Sequence, residues 1–218
     1  MPIPRRAARE VALFAVTPDR GDAIELEAKL PALAAGGVAR VLLREPSLAA
    51  PARAALAERV ARACAAARLE LWISADAELA LRVGAHGVHL PERSPPPSQL
   101  ARAAPTLALG LSLHLPLSRP PDEIARCAHA FLAPLLPTPS KPGVEPVGLA
   151  RFVATAAALP LPLYALGGLT LESAPALAAA GITRVAAIRL FFDAVDPERA
   201  ARVLHERLAA AGAGEEAR

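Results

Sequence analysis

Aromatic residues are scarce in this sequence: five Phe, one Trp and one Tyr among 218 residues, or 3%. That scarcity argues against a protein that reads single-stranded nucleic acid by stacking bases on aromatic rings. Cysteine is nearly absent as well. Cys64 and Cys127 are the only two and lie far apart, without a CxxC or a Cys/His cluster, so neither a disulfide framework nor a structural zinc site is expected. Both read as small buried hydrophobes. Lysine is rarer than arginine, with only Lys29 and Lys141 among 24 basic residues. The net charge of +3 is spread over helix faces where Arg53, Glu58, Arg59 and Arg62 alternate in sign, so no nucleic-acid partner is expected. Long apolar runs are missing too, and no membrane partner is expected. The basic start is followed only by the short run VALFAV, too short for the apolar core of a secretion signal, so the expected location is the cytoplasm.

What the chain does have is 54% hydrophobic residues, chiefly aliphatic, at a length that suits one sizeable domain over 1–218, with 212–218 as a frayed tail. Eight strand-type runs (12–16, 40–44, 69–74, 87–90, 107–111, 130–136, 161–166 and 183–190) alternate with eight helical ones (23–35, 49–68, 77–83, 97–103, 121–128, 147–158, 171–180 and 197–211). Gly36-Gly37, Gly84 and Gly181 stand where helices must stop, and Asp22, Ser118 and Thr170 where helices could be capped. An open doubly wound sheet shares this alternation. The count of eight, and the lack of a GxGxxG after the first strand, favour a single α/β domain with the (β/α)8 TIM-barrel fold.

In such a barrel the chemistry sits at the carboxyl ends of the strands. The polar residues falling there are Arg44 and Glu45 after strand two, Ser74 and Asp76 after three, and His89 and Glu92 after four. Thr17 and Asp19 follow strand one, Ser112 and His114 follow five, Thr138, Ser140 and Lys141 follow six, Gly167 and Gly168 follow seven, and Arg189 ends eight, with the apolar Ile188 before it as a further substrate-binding candidate. Cations, hydroxyls and a Gly-Gly pair suit a phosphate: glycine lets backbone N–H groups approach an anion, the helix opening at Thr170 adds a dipole, and Arg189 adds a charge-assisted bond. A phosphorylated small molecule is therefore the expected partner; no oligomeric state is assigned. The alternatives are that Arg189 pairs with Asp193 and Arg44 with Glu45. His86, His129 and His205 read as loop or surface positions. No G-x-S-x-G elbow and no metal spacing of histidines occurs.

Taken in order, LFAVTPD, Leu43-Arg44-Glu45, Ile73-Ser74, Gly87-Val88-His89-Leu90, Gly110-Leu111-Ser112 with His114, Pro137 through Gly143, Ala165 through Leu169, and Val185 through Ile188 resemble the thiamin phosphate synthase and thiazole tautomerase family. The resemblance implies a TIM barrel that joins hydroxymethylpyrimidine diphosphate to thiazole phosphate, with pyrophosphate leaving through a carbocation-like pyrimidine with the help of Mg2+. It assigns Gly167 and Gly168 to the product phosphate, Thr138, Ser140 and Lys141 to phosphate or pyrophosphate ends, and Arg44 and Ser112 to pyrophosphate. Three family motifs depart. Gln-Leu-Arg-Glu-Lys reads Leu42-Leu43-Arg44-Glu45-Pro46, Asn-Asp-Arg reads Ser74-Ala75-Asp76, and His-Leu-Gly-Gln-Glu-Asp reads His89-Leu90-Pro91-Glu92-Arg93-Ser94. Ala75 and Ser94 thus stand where the resemblance implies magnesium carboxylates, leaving Asp76 and Glu92, each displaced along the chain, as candidate ligands. The tautomerase branch carries a catalytic histidine where Pro134 stands, which leaves His89 and His114 as acid/base candidates. Three functions remain open: a divergent synthase, a tautomerase-like enzyme on a phosphorylated heterocycle, and a non-catalytic phosphate-binding or regulatory protein.

Overall fold

The computed structural model describes residues 10–139 and 142–210. Ser140, Lys141 and the 212–218 tail lie outside the described residues. The strands are β1 (Ala12–Val16), β2 (Val38–Leu43), β3 (Glu70–Ser74), β4 (Gly87–Leu90), β5 (Ala108–Leu113), β6 (His129–Leu132), β7 (Leu163–Leu166) and β8 (Arg184–Ala187). All neighbours pair in parallel and β8 closes on β1, so the expected (β/α)8 barrel is present. The helices are α1 (Ala23–Ala35), α2 (Ala50–Ala67), α3 (Ala77–Arg82), α4 (Pro97–Ala103), α5 (Pro121–Ile124), α6 (Leu149–Ala158), α7 (Ala174–Ala179), α8 (Arg189–Phe192) and α9 (Pro197–Ala209). No described helix is long and apolar enough to cross a membrane.

Local sequence explains several element ends. Asp22 caps α1 by accepting from the backbone N–H groups of Ile24 and Glu25, and Gly37, Gly84 and Gly181 turn the chain at positive φ after α1, α3 and α7. Three expectations need correction. Strand β8 stops at Ala187 because Ile188 leaves the extended region (φ −107°, ψ −82°), so Arg189 opens the short α8 and does not end the strand. Ser118 caps no helix; its hydroxyl donates to Glu92. Thr170 instead exchanges hydrogen bonds with Ser173 across a turn, and α7 starts only at Ala174.

Each strand splits its side chains between two cores, as a period of two requires. One set packs under the helices and is almost wholly aliphatic, with Val41, Leu71, Val88, Leu111 and Val185 among its members. The other fills the barrel interior and holds Phe14, Val16, Leu42, Trp72, Phe131, Tyr164 and Ala186. Most of the few aromatic residues are therefore spent inside the barrel. Space is made for them by glycine. Gly87 pairs with Trp72, and a Cβ there would sit 2.5 Å from the indole; a Cβ on Gly110 would sit 2.6 Å from both His89 and His129. Large residues opposite small ones thus fill the interior, as close packing demands.

The same column is sealed at its amino-terminal end. Arg40 of β2 donates to Glu70 at 2.7 Å and to the Tyr164 hydroxyl. Burial opposes its charge, but those two partners outweigh burial and hold the guanidinium pKa above its usual value. At the other end the interior opens.

Candidate active site

The open end is a cavity of about 1090 Å³ at the carboxyl ends of the strands. The strand ends bring Arg44, Ser74, Asp76, His89, Glu92, Ser112, His114, Thr138, Gly167 and Ile188 to its wall. Most of the residues singled out from sequence therefore converge on one space.

Arg44 arrives there because it directly follows β2, whose Leu42 also lines the cavity. Its backbone is pinned: Thr17 Oγ1 accepts from Arg44 N at 2.9 Å and donates to Arg44 O at 3.2 Å. Its side chain is exposed and has no hydrogen-bond partner among the described residues. The rim pair with Glu45 does not form. Glu45 is 2% exposed, and its carboxylate accepts from the backbone N–H groups of Asp19 (3.2 Å) and Gly21 (2.8 Å), shaping the loop after β1. The Glu45 carboxylate is taken up by those two backbone N–H groups, which is why adjacent opposite charges do not pair here.

A second cluster joins the loops after β6, β7 and β8. Leu135 N donates to Leu166 O and Leu136 N to Gly167 O, tying two of these loops together. Gly167 (φ 96°) and Gly168 (φ 74°) are required here: a Cβ on Gly168 would meet the carbonyl oxygens of Leu136 and Pro137 at 2.6 Å. Arg189 Nη2 reaches across to Thr138 Oγ1 at 3.2 Å. The expected alternative pairing fails, since Asp193 is taken by Arg20. Gly168 and Arg189 flank the cavity and do not line it. The α7 dipole is also not part of this cluster, because α7 is six residues long and begins six positions after Gly168.

The histidines divide sharply. His114 is half-exposed and pairs with Glu92 at 2.7 Å. Burial pushes the Glu92 carboxyl up, but hydrogen bonds from His114 and Ser118 overcome it, leaving its pKa below the usual range. His89 is 3% exposed, and burial pushes its imidazole down to about 3. His129, read from sequence as a loop or surface position, is in fact a β6 residue inside the barrel, 3% exposed. Burial, with His89 and Arg40 nearby, holds it well below the usual histidine value. The spacing His129-x-Phe131, which puts both on one strand face, is the signal that could have placed it, but the apolar run around it is buried on both sides and offers no polar alternation to read.

The carboxylates do not make a magnesium site. Asp76 Oδ1 caps α3 by accepting from Leu79 N at 2.9 Å, and its Oδ2 faces Arg53 at 3.5 Å. Glu92 has one oxygen on His114 and the other on Ser118. At the remaining position, Ser94 Oγ accepts from Arg119 at 3.0 Å, so a guanidinium occupies the neighbourhood that a metal-binding acid would need. Among the described residues no group of three or more His, Cys, Asp or Glu could hold a metal ion. Magnesium bound by protein carboxylates does not fit these donors.

Fold and cavity together define a (β/α)8 barrel whose candidate site is built from the loops at the strand carboxyl ends. Within that class the chain belongs to the thiamine monophosphate synthase family, whose model matches residues 13–191. It is 35% identical over 201 residues to the thiamine-phosphate synthase of Thioalkalivibrio sulfidiphilus, covering 88% of this chain and 92% of that one. Identity to the thiamine-phosphate synthase of Thermus thermophilus is 35% over 196 residues, with 88% and 94% covered. Among solved structures, the thiamine phosphate pyrophosphorylase from Pyrococcus furiosus superposes with a TM-score of 0.76 at 18% identity, over 92% of this chain and 96% of that one, a likeness of fold.

Proposed function

We propose that this chain binds thiazole phosphate, or a closely related phosphorylated heterocycle, at the carboxyl-terminal face of its barrel. On this reading the chemistry at that face is the thiamin phosphate synthase reaction, and membership of the family supports it. The observation that carries this reading is the pair of anion-receptive features at one cavity: Arg44, whose side chain has no hydrogen-bond partner among the described residues, on one wall, and Gly167 and Thr138 on another, with Gly168 and Arg189 flanking them. A guanidinium presents a planar fork of donors that suits phosphate, and glycine backbone can approach an anion without a side chain in the way. In this reading the thiazole phosphate rests on the glycine turn with Thr138 and Arg189. Arg44 and Ser112 hold the diphosphate of the pyrimidine partner, Ser140 and Lys141 are its further candidates, and Ile188 packs against the bound ring.

In the transfer itself the bond from the pyrimidine methylene carbon to the diphosphate oxygen breaks, and the thiazole nitrogen forms the new bond to that carbon. Arg44 and Ser112 stabilise the departing negative charge, which grows as the bond breaks. No step here passes through a protein-bound metal. A second reading, phosphate binding without transfer, is favoured by one observation: Asp76, Glu92 and Ser94 are all engaged by other protein groups.

The test is a direct assay with both synthase substrates, with and without magnesium, reading thiamin phosphate as fluorescent thiochrome, beside a calorimetric titration of thiazole phosphate. Product formation supports the synthase. Binding of thiazole phosphate without product supports the second reading, and neither binding nor product would refute both. Ala75 lines the cavity at positive φ (63°), a conformation that Asp tolerates better than Ala, so Ala75→Asp is the first variant to assay for a gain in rate.

A further inference from the structure

His89 and His129 meet in the middle of the barrel. His89 Nε2 lies 3.0 Å from Ser112 Oγ, and His89 Nδ1 lies 3.2 Å from His129 Nε2. The contact depends on β5, because Gly110 pairs with His89 on one side and His129 on the other and leaves them the space a Cβ would take. Ser112 and His89 line the cavity, whereas His129 lies deeper, edge-on to Trp72 with ring centroids 4.5 Å apart.

Such a chain has two directions. In one, the Ser112 hydroxyl donates to His89 Nε2, as a nucleophile does to its general base. That arrangement calls for a basic imidazole oriented by a group that stabilises its charge, usually a carboxylate. Here the group behind His89 is a second buried imidazole among Phe14, Trp72 and Phe131, and no carboxylate hydrogen-bonds to either ring among the described residues. Burial keeps both rings neutral, which makes His89 a poor proton acceptor. In the other direction, His129 Nε2–H donates to His89 Nδ1 and His89 Nε2–H donates to Ser112 Oγ. The hydroxyl proton of Ser112 is then left to point into the cavity. A neutral imidazole has one donor and one acceptor nitrogen, so fixing His129 fixes His89, and fixing His89 fixes Ser112.

Resting on the phosphate reading of the cavity, we propose that His129 and His89 form a one-way hydrogen-bond chain that holds Ser112 as a donor to an anionic phosphate oxygen. His129 is the positioning residue. It touches no ligand, and it acts through two hydrogen bonds on the Ser112 hydroxyl, which does.

Nitrogen-15 NMR of the full chain at neutral pH reads the tautomers without any ligand. The expected result is both rings neutral and protonated at Nε2; His89 protonated at Nδ1 overturns the proposal. Calorimetry with inorganic pyrophosphate supplies the second arm. Ser112→Ala and His129→Phe should each weaken binding roughly tenfold, and the double variant no further than either alone, since both remove one charge-assisted bond. His129→Gln, whose amide N–H can still donate, should recover part of the loss. Wild-type affinity in a His129→Phe protein that melts normally overturns the proposal, and so does a His129→Gln protein no better than His129→Phe. If the wild-type chain binds no pyrophosphate, the phosphate reading of the cavity fails, while the tautomers still decide the direction of the chain.

Discussion

Strand β2 and the residue that follows it carry two arginines, Arg40 within the strand and Arg44 just past its carboxyl end, and the two live differently. Arg40, at the amino-terminal floor, is held by Glu70 and Tyr164; Arg44, at the carboxyl-terminal rim, has a pinned backbone and a side chain with no hydrogen-bond partner among the described residues. The floor is finished: its charge is neutralised by the protein and its role is to close the barrel. The rim leaves its charge facing a cavity, and a cation that no described residue compensates at the working end of a barrel is available to an anionic ligand. Between them stands the column of Trp72, His129, His89 and Ser112, stacked through glycine gaps, which couples a closed floor to an open rim.

Breaking the column should have the largest effect. Gly110→Ala places a methyl group 2.6 Å from both imidazoles and should destabilise the fold by about 1–3 kcal/mol, read as a lower urea midpoint, with pyrophosphate binding weakened as the imidazoles separate. Arg44→Ala should act on the rim alone. Pyrophosphate affinity should fall roughly tenfold or more, while stability stays within about 0.5 kcal/mol, since no hydrogen bond to a described residue is lost.

Acid should reveal the buried pair. The His89 imidazole has a folded value of about 3 against an ordinary value of 6.5, so between those limits the unfolded chain takes up a proton that the folded one refuses. Stability is therefore full above about 6.5 and falls as the pH drops towards 3, by at most ~1.4 kcal/mol per pH unit for each such ring. His129 adds to it with the same sign, so His129→Phe should flatten the slope of urea midpoint against pH. A slope unchanged by that substitution would show that the ring is not held neutral. The smallest effect belongs to the floor: Arg40→Leu should cost about 1 kcal/mol by loss of a partly exposed hydrogen-bonded pair.

The fold was largely legible because its signals are local. Short apolar runs, alanine-rich helical stretches and glycine stops at Gly37, Gly84 and Gly181 each act within a few residues, and β1, β4, α1 and α4 begin and end where the sequence predicts. The rim was legible as a set of positions, because strand ends in a barrel share one face. Pairing was not. Whether Glu45 meets Arg44 or the Asp19 and Gly21 amides, and whether Arg189 meets Asp193 or Thr138, depends on loops distant in sequence. His129 escaped for another reason: the aliphatic shell under the helices and the aromatic interior are both apolar, so the residues flanking it do not say which side is which. The early end of β8 escaped as well, since Ile188 and Leu190 continue an apolar run while the backbone turns into α8.

The central claim is that the rim arginine serves a ligand and the floor arginine serves the fold. Calorimetric titration of inorganic pyrophosphate into the wild-type, Arg44→Ala and Arg40→Leu proteins tests it in one comparison. The account predicts binding that Arg44→Ala weakens at least tenfold and that folded Arg40→Leu retains. Equal affinity in all three, or equal loss in both variants, would contradict it.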